Sequence, residues 1–295
     1  MNLSRCGYIA IIGRPNVGKS TLLNAILGKK ISITSRKPQT TRSQILGIKS
    51  LDNIQAIFID TPGIHKQEKF AMNRYMNRLA SSVIPDADII LFMIEAGRFQ
   101  EEDELVLQKL QSAHAPVFLL INKVDTIKDK NQLLPFIEKM SSKYSFANIF
   151  PISATKMKNV TELEKAIFKL LPEGPHLFPD DQTTDKTDRF QIAELIREKL
   201  IRATGQEIPY STTVEIESIK EEKKLLHISA IIWVEREGQK AIVIGKEGER
   251  LKKIGTLARK DIEQLLNQKI FLRLWVKVKD RWTDDERALQ SLGYL

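Results

Sequence analysis

A single cysteine, Cys6, occurs in 295 residues. That excludes a disulfide framework and a cysteine-based metal site. Histidine is also scarce: His65, His114, His176 and His227 lie far apart, without the paired spacing of metal ligands. Long apolar runs are missing. The longest have the length of a strand, so no transmembrane segment is expected. The apolar run Tyr8 to Ile12 flows straight into a glycine-containing loop, which argues against a signal peptide. Low-complexity tracts and fixed-period repeats are absent as well. These absences point to a reduced, cytoplasmic setting. A chain of this length accommodates one large or two ordinary domains with a sizeable core.

What is present begins at that loop. Gly13-Arg14-Pro15-Asn16-Val17-Gly18-Lys19-Ser20-Thr21 follows the predicted strand and opens a helix-like stretch that continues to Leu27. A strand, a glycine-containing turn and a helix N-terminus aim backbone N–H groups at one spot, and such a spot binds phosphate. Lys19 is suited to the β- and γ-phosphates, and the Ser20 hydroxyl to Mg²⁺.

Three further motifs follow in order. Asp60-Thr61-Pro62-Gly63 ends the apolar run Ile54 to Ile59. Asn122-Lys123-Val124-Asp125 ends the run Val117 to Ile121. Ser153-Ala154 ends the run Ile149 to Ile152. Each sits at the carboxyl end of a predicted strand, the edge at which open α/β sheets bind ligands. Asp60 is placed to hold Mg²⁺ through water, and the Gly63 amide to sense a γ-phosphate. Thr41 is the expected switch threonine, with Thr40 the alternative register. Lys29 to Arg42 is polar and basic, as a switch loop requires.

The base is legible too. Guanine offers two adjacent donors, and the Asp125 carboxylate accepts both in bidentate geometry. Adenine lacks that pair and would leave the carboxylate unpaired. Asn122 is expected to tie the loops together and approach the base carbonyl. The Lys123 stem is expected to cover the purine plane, and the backbone N–H groups of Ser153 and Ala154 to reach guanine O6. Ile64, after the Asp-Thr-Pro-Gly motif, cannot orient an attacking water, so slow intrinsic hydrolysis is expected. The Asn16 amide oxygen is a candidate ligand for K⁺ beside the phosphates; a cap of its own turn is the alternative.

Strands alternate with helix-like stretches, Glu101–Gln111, Gln132–Lys143 and Val160–Leu171 among them, which indicates a mainly parallel sheet. This first domain spans 1–172. Residues 173–188, rich in Pro, Gly, Asp and Thr, read as a linker. The second domain, 189–295, has the order α-β-β-α-α-β, with Gly245-Lys246-Glu247-Gly248 between its two central helices. Charge is asymmetric within it. Residues 236–281 hold 13 basic and 6 acidic side chains. Lys246, Arg250, Lys252, Lys253, Arg259 and Lys260 are candidates for a phosphate-tracking groove; a solvated helix face is the alternative for any one of them.

The phosphate loop, Pro38-Gln39-Thr40-Thr41-Arg42 and Asp-Thr-Pro-Gly together resemble the Era GTPases. The C-terminal third extends the resemblance over essentially the whole chain, since its element order is similar to a type II KH domain. The resemblance implies an α/β phosphate-loop GTPase domain with a mainly parallel sheet, followed by an α+β type II KH domain. It implies GTP/GDP and Mg²⁺ as cofactors, and a K⁺ role for Asn16. It implies single-stranded RNA at the 3′ end of small-subunit ribosomal RNA, on a 30S-type subunit, as partner, and assembly of that subunit as the role. In a KH domain the glycines allow close approach of about four nucleotides. A GTPase whose second domain docks protein or the inner face of a cell membrane is the alternative. A vestigial GTPase that only binds RNA fits poorly with four intact nucleotide motifs.

Overall fold

The structure is a computed structural model, and it describes residues 4–294 except 36, 38, 65, 67–69 and 205–210. Pro38 of the motif above and His65 lie outside the described residues. The chain forms two compact units, divided between Asp185 and Lys186, with the short segments Ser35–Thr40 and Phe70–Met72 grouping with the second.

The first unit is built on a six-stranded sheet. Its strands are β1 (Arg5–Ile12), β2 (Ile45–Leu51), β3 (Ile54–Asp60), β4 (Ile89–Glu95), β5 (Val117–Asn122) and β6 (Asn148–Pro151). The spatial order is β2-β3-β1-β4-β5-β6. All neighbours are parallel except β2 and β3, an antiparallel hairpin on one edge. The helices are α1 (Lys19–Leu27), α2 (Ala71–Ser82), α3 (Glu101–Leu110), α4 (Leu133–Ser141) and α5 (Val160–Leu170).

The alternation within β1 explains the layering. Ile9 and Ile11 face one apolar core with Leu22, Leu23 and Ile26 of α1 and Leu163 and Ile167 of α5. Ala10 and Ile12 face the opposite core with Ala80 of α2, Val106 and Leu110 of α3 and Met140 of α4. A strand covered on both faces must be apolar throughout, and Ile9 to Ile12 are all fully buried. Because the strands are parallel, the ends of β1, β3, β5 and β6 meet along one edge. That edge collects the four motifs.

Residues 173–188 do not form a free tether. Gly174 N–H donates to Ser4 O at 2.9 Å, and Ile48 N–H to Thr183 O at 3.0 Å. The buried Gln55 amide accepts from Leu177 and Phe178 N–H at 2.8 and 2.9 Å and donates to Phe178 O at 2.8 Å. The segment through Asp185 is thus strapped to the first unit. Its composition suggested looseness because backbone partners far away in sequence leave no local mark.

The second unit contains α6 (Asp188–Ala203), β7 (Thr213–Glu222), β8 (Leu225–Val234), α7 (Glu237–Ile244), α8 (Glu249–Leu266), β9 (Ile270–Val278) and α9 (Glu286–Ser291). The sheet order is β7-β8-β9, with β8 and β9 parallel. Ile254, Ala258 and Ile262 recur every four residues on α8 and are fully buried. They pack with Ile192, Ile196 and Leu200 of α6 over one face of the sheet. Each isoleucine buried this way stabilises the unit by about 1.5–3 kcal/mol.

Candidate nucleotide site and nucleic-acid groove

The loop between β1 and α1 is shaped by backbone that few residues adopt. Gly18 has φ 110°, and a Cβ there would sit 2.3 Å from Asn122 Nδ2, so only glycine fits. Asn16 also takes a positive φ, 63°, and is exposed. Lys19 lies under the loop, and its Nζ donates to the carbonyls of Gly13 and Arg14 at 3.0 Å each. Burial lowers its ammonium to about 8, against the pull of Asp60 and Asp103. A buried cation beneath a cradle of N–H groups suits polyanionic phosphate.

The three candidate metal ligands converge. Ser20 Oγ is 2.8 Å from Thr41 Oγ1 and donates to Asp60 Oδ2 at 2.7 Å. Ser32 Oγ, not anticipated from sequence, donates to the same oxygen at 2.8 Å. Asp60 is fully buried, and burial raises its carboxyl against the opposing effects of Ser20, Lys19 and Ser32. Its second oxygen, Oδ1, has no hydrogen-bond partner. An orphaned buried carboxylate oxygen beside two hydroxyls fits a hard divalent cation such as Mg²⁺. Of the two threonine registers, Thr41 is the one beside Ser20; the Thr40 hydroxyl donates to Lys37 O at 2.7 Å.

The rest of the Asp-Thr-Pro-Gly segment is framework. Thr61 Oγ1 donates to Ile11 O at 2.8 Å and pins β3 to β1. Pro62 and Gly63 are buried, and a Cβ on Gly63 would lie 2.6 Å from Pro15 N. Ile64 is buried in the apolar core, so it offers the reaction no polar group.

Asn122 joins three loops. Its Nδ2 donates to Val17 O at 2.7 Å, and its Oδ1 accepts from Ala154 N–H at 3.0 Å. The tie between loops is therefore present, but both ends of the amide are engaged within the protein. The backbone N–H groups of Ser153 and Ala154, expected at guanine O6, have partners within the protein. Ser153 N–H donates to Lys158 O at 3.1 Å and Ala154 N–H to Asn122. Both groups hold the loop rather than facing outward. Asp125 is exposed, in the turn that follows Lys123, whose φ is 65°.

Arg14, within the phosphate loop, is turned into the protein. It is 8% exposed, and its guanidinium bonds to Asp103 Oδ2 and Glu95 Oε2 at 3.0 Å each, not toward the phosphate cradle. Lys123 Nζ is 3.2 Å from the same Glu95 oxygen. Burial works to raise the Glu95 carboxyl, but Lys123 and Arg14 outweigh it and hold the group below its usual range. The phosphate loop and the base loop are thus cross-linked through one carboxylate. Nothing local in the sequence marks Glu95; its position at the end of β4 is the only cue.

In the second unit, Gly245 and Gly248 have φ 75° and 79° and turn the chain between α7 and α8. Lys246 and Glu247 are exposed at the tip. Beside the turn lies a groove of about 360 Å³, lined by Gly248 of the turn, by Lys252, Gly255 and Arg259 of α8 and by Leu272 and Leu274 of β9. Lys253 is exposed on α8 and does not line the groove. Arg250 bends back, and its guanidinium donates to Ile242 O at the end of α7. Gly255, Leu272 and Leu274 were missed from sequence. The one available signal was Gly255, a glycine inside an otherwise amphipathic helix.

Known proteins match both units of the chain. A 50S ribosome-binding GTPase family matches residues 8–123, and a KH domain family matches residues 207–283. The chain is 55% identical over 293 residues to GTPase Era of Ectopseudomonas mendocina, covering 99% of this chain and 98% of that protein. It is 58% identical over 291 residues to GTPase Era of Actinobacillus pleuropneumoniae serotype 5b, covering 98% and 96%. A crystal structure of Era in complex with MgGDPNP and nucleotides 1506–1542 of 16S ribosomal RNA superposes with a TM-score of 0.96 at 43% identity, covering 99% of each chain.

Proposed function

The chain belongs to the Era family of GTPases, and from that premise we propose that it is a GTP-driven switch joined to a reader of single-stranded RNA. Its target is the 3′ end of small-subunit ribosomal RNA, and its role is assembly of the 30S-type subunit in the cytoplasm. The observation that carries the reading is the presence, in one chain, of the Ser20–Thr41–Asp60 cluster and of the groove beside Gly248. The related Era bound to MgGDPNP and 16S ribosomal RNA supports the same pairing of ligands. Residues 1–172 carry the nucleotide, 173–188 connect, and 189–295 carry the RNA.

Phosphoryl transfer needs positioning and charge stabilisation more than covalent chemistry. Lys19 and the N–H groups of residues 13–21 hold the phosphates. Ser20 and Thr41 would hold Mg²⁺, with Asp60 reaching it through water, and the ion would supply charge neutralisation at the phosphates. The Gly63 amide faces the γ-phosphate, Asp125 selects guanine, and the Lys123 stem, anchored at Glu95, covers the purine. Ile64 leaves the attacking water without a side-chain partner. Asn16, exposed on the loop, would hold a K⁺ ion that offsets part of that loss; equal turnover in K⁺ and Na⁺ at matched ionic strength would remove this role. GTP orders the switch segment and hydrolysis releases it.

The phosphates of the RNA pass Gly245 and Gly248, with Lys246, Lys252 and Arg259 alongside. Gly248→Asp tests this. A Cβ there meets nothing within 4 Å, and Asp bears the strain of a positive φ better than most residues, so the variant is expected to fold, which its melting midpoint checks. It places bulk and negative charge where phosphates approach. RNA affinity collapses while GTP turnover persists. A folded Gly248→Asp protein that binds RNA normally removes the groove from the account. Wild-type protein that binds no RNA favours a second domain docking protein or a membrane surface; no described helix is long and apolar enough to cross a membrane.

A further inference from the structure

The groove lies on one side of β9, and the other side carries a second surface. Along β9 the residues alternate strictly. Leu272, Leu274 and Val276 face the helices, while Phe271, Arg273, Trp275 and Lys277 face outward and are exposed. The register aligns Phe271 with His227 and Lys277 with Trp233 on β8. Phe271 is 43% and Trp275 52% exposed, costly values for large rings. Cations lie close to the rings. Arg273 is 5.6 Å from the Phe271 centroid, and Lys277 and Lys279 are 6.0 and 5.9 Å from that of Trp233. The outward positions of β8 and β9 include no carboxylate. The nearest is Glu215 on β7, which accepts the Trp233 indole N–H at 2.8 Å. The face is therefore acidic toward β7 and basic and aromatic toward β9.

We infer that this outer face of β8 and β9 is a second RNA-binding surface, on which unpaired bases stack on Phe271 and Trp275 while Arg273, Lys277 and Lys279 take the phosphates. The inference rests on the RNA-reading role proposed above and adds where the remainder of that RNA lies. A Gly-x-x-Gly groove clamps about four nucleotides, whereas the related Era carries nucleotides 1506–1542, far more than one groove holds. Because β9 is an edge strand, RNA leaving the groove reaches the outer face by rounding a single strand. Aromatic rings on an open sheet are a known stacking platform for two or three bases. Phe271 and Trp275 lie about 13 Å apart along the strand, at 3.3 Å per residue, with Arg273 between them. A lipid-binding face would cluster its apolar residues and rim them with cations. Here rings and cations alternate, as they do in single-strand binders.

The test uses the full chain with GDPNP and two probes: the RNA 1506–1542, and hexanucleotides tiled across it. The tightest hexanucleotide reports the groove alone. Removing a stacking ring weakens RNA binding about 5- to 100-fold. Phe271→Ala with Trp275→Ala is therefore expected to weaken the long RNA at least 30-fold, leaving the best hexanucleotide and GTP turnover within twofold of wild type. Trp275→Phe keeps a ring and retains most of the affinity. Arg273→Gln with Lys277→Gln lowers the salt dependence of long-RNA binding by about 1.4 in log–log slope. A double-alanine protein with an unchanged melting midpoint that binds the long RNA within twofold of wild type overturns the inference while leaving the groove intact. So does the same unchanged RNA binding combined with loss of sedimentation on phosphatidylserine–phosphatidylcholine vesicles, which assigns the face to lipid, or with loss of a dimer, which assigns it to a second copy. Wild-type protein that binds neither probe removes the RNA-reading role itself, and this inference with it.

Discussion

Asn122→Ala is the perturbation with the clearest structural magnitude. The side chain is 3% exposed and makes three buried hydrogen bonds, to Val17 O at 2.7 Å, to Met93 Sδ at 3.8 Å and from Ala154 N–H at 3.0 Å. Truncation leaves that carbonyl and that N–H without their partner. Each orphaned group costs about 1–3 kcal/mol, so the total is roughly 2–6 kcal/mol, a large share of the 5–15 kcal/mol typical of a domain. Val17 belongs to the phosphate loop and Ala154 to the loop beside the base. Part of the loss therefore appears as weaker nucleotide retention. If about 2 kcal/mol falls on the bound state, GDP leaves about 30-fold faster. Stopped-flow displacement of fluorescent N-methylanthraniloyl-GDP measures this, with the apo melting midpoint recorded alongside. Asn122→Asp keeps the acceptor for Ala154 but sets a carboxylate against the Val17 carbonyl, and it is expected to be no better. A folded Asn122→Ala protein that releases GDP within twofold of wild type would falsify the claim that this amide is what holds the two loops together.

Asp125→Asn should weaken GTP strongly and improve xanthosine triphosphate, because xanthine presents a carbonyl where guanine has its amine; unchanged preference in a competitive titration sinks the guanine assignment. Thr41→Ala should spare GDP binding but reduce hydrolysis, and Ser20→Ala should damage Mg²⁺-dependent binding outright. If Thr40→Ala behaves as expected of Thr41→Ala, the switch register is off by one. Burial raises the Cys6 thiol above its ordinary 9.0, so the unfolded chain ionises first as pH rises, and stability is lost above about pH 9. At pH 8 iodoacetamide should label Cys6 in urea and leave the native protein unmodified; equal rates would show that the thiol is open.

The nucleotide motifs were legible because each is a short contiguous string at a strand end, and a parallel sheet brings such ends together by topology alone. The tertiary wiring was not. Asn122 reaches Val17 across 105 positions in sequence, and Glu95 collects Arg14 and Lys123 from two loops. Both depend on strand order, which no local pattern encodes. The internal partners of the Ser153 and Ala154 N–H groups were hidden for the same reason, since they are fixed by the folded loop. Residues 173–188 read as a linker because composition reports turn propensity and is silent about the Gln55 side chain that clasps Leu177 and Phe178. In the second unit the Gly-x-x-Gly turn was readable, but Leu272 and Leu274 became groove residues only once β9 was placed beside α8.

The central claim is that nucleotide state and RNA binding are coupled in one chain. Coupling is reciprocal, so either ligand reports it. The direct measurement is the affinity of full-length protein for the RNA 1506–1542 with GDP and with GDPNP, at one salt concentration and saturating Mg²⁺. The account predicts binding at least about fivefold tighter with GDPNP, the lower end of ordinary allosteric coupling, with RNA raising GDPNP affinity by the same factor. Equal RNA affinity in the two nucleotide states would contradict it, leaving a GTPase and an RNA reader that share a chain without exchanging information.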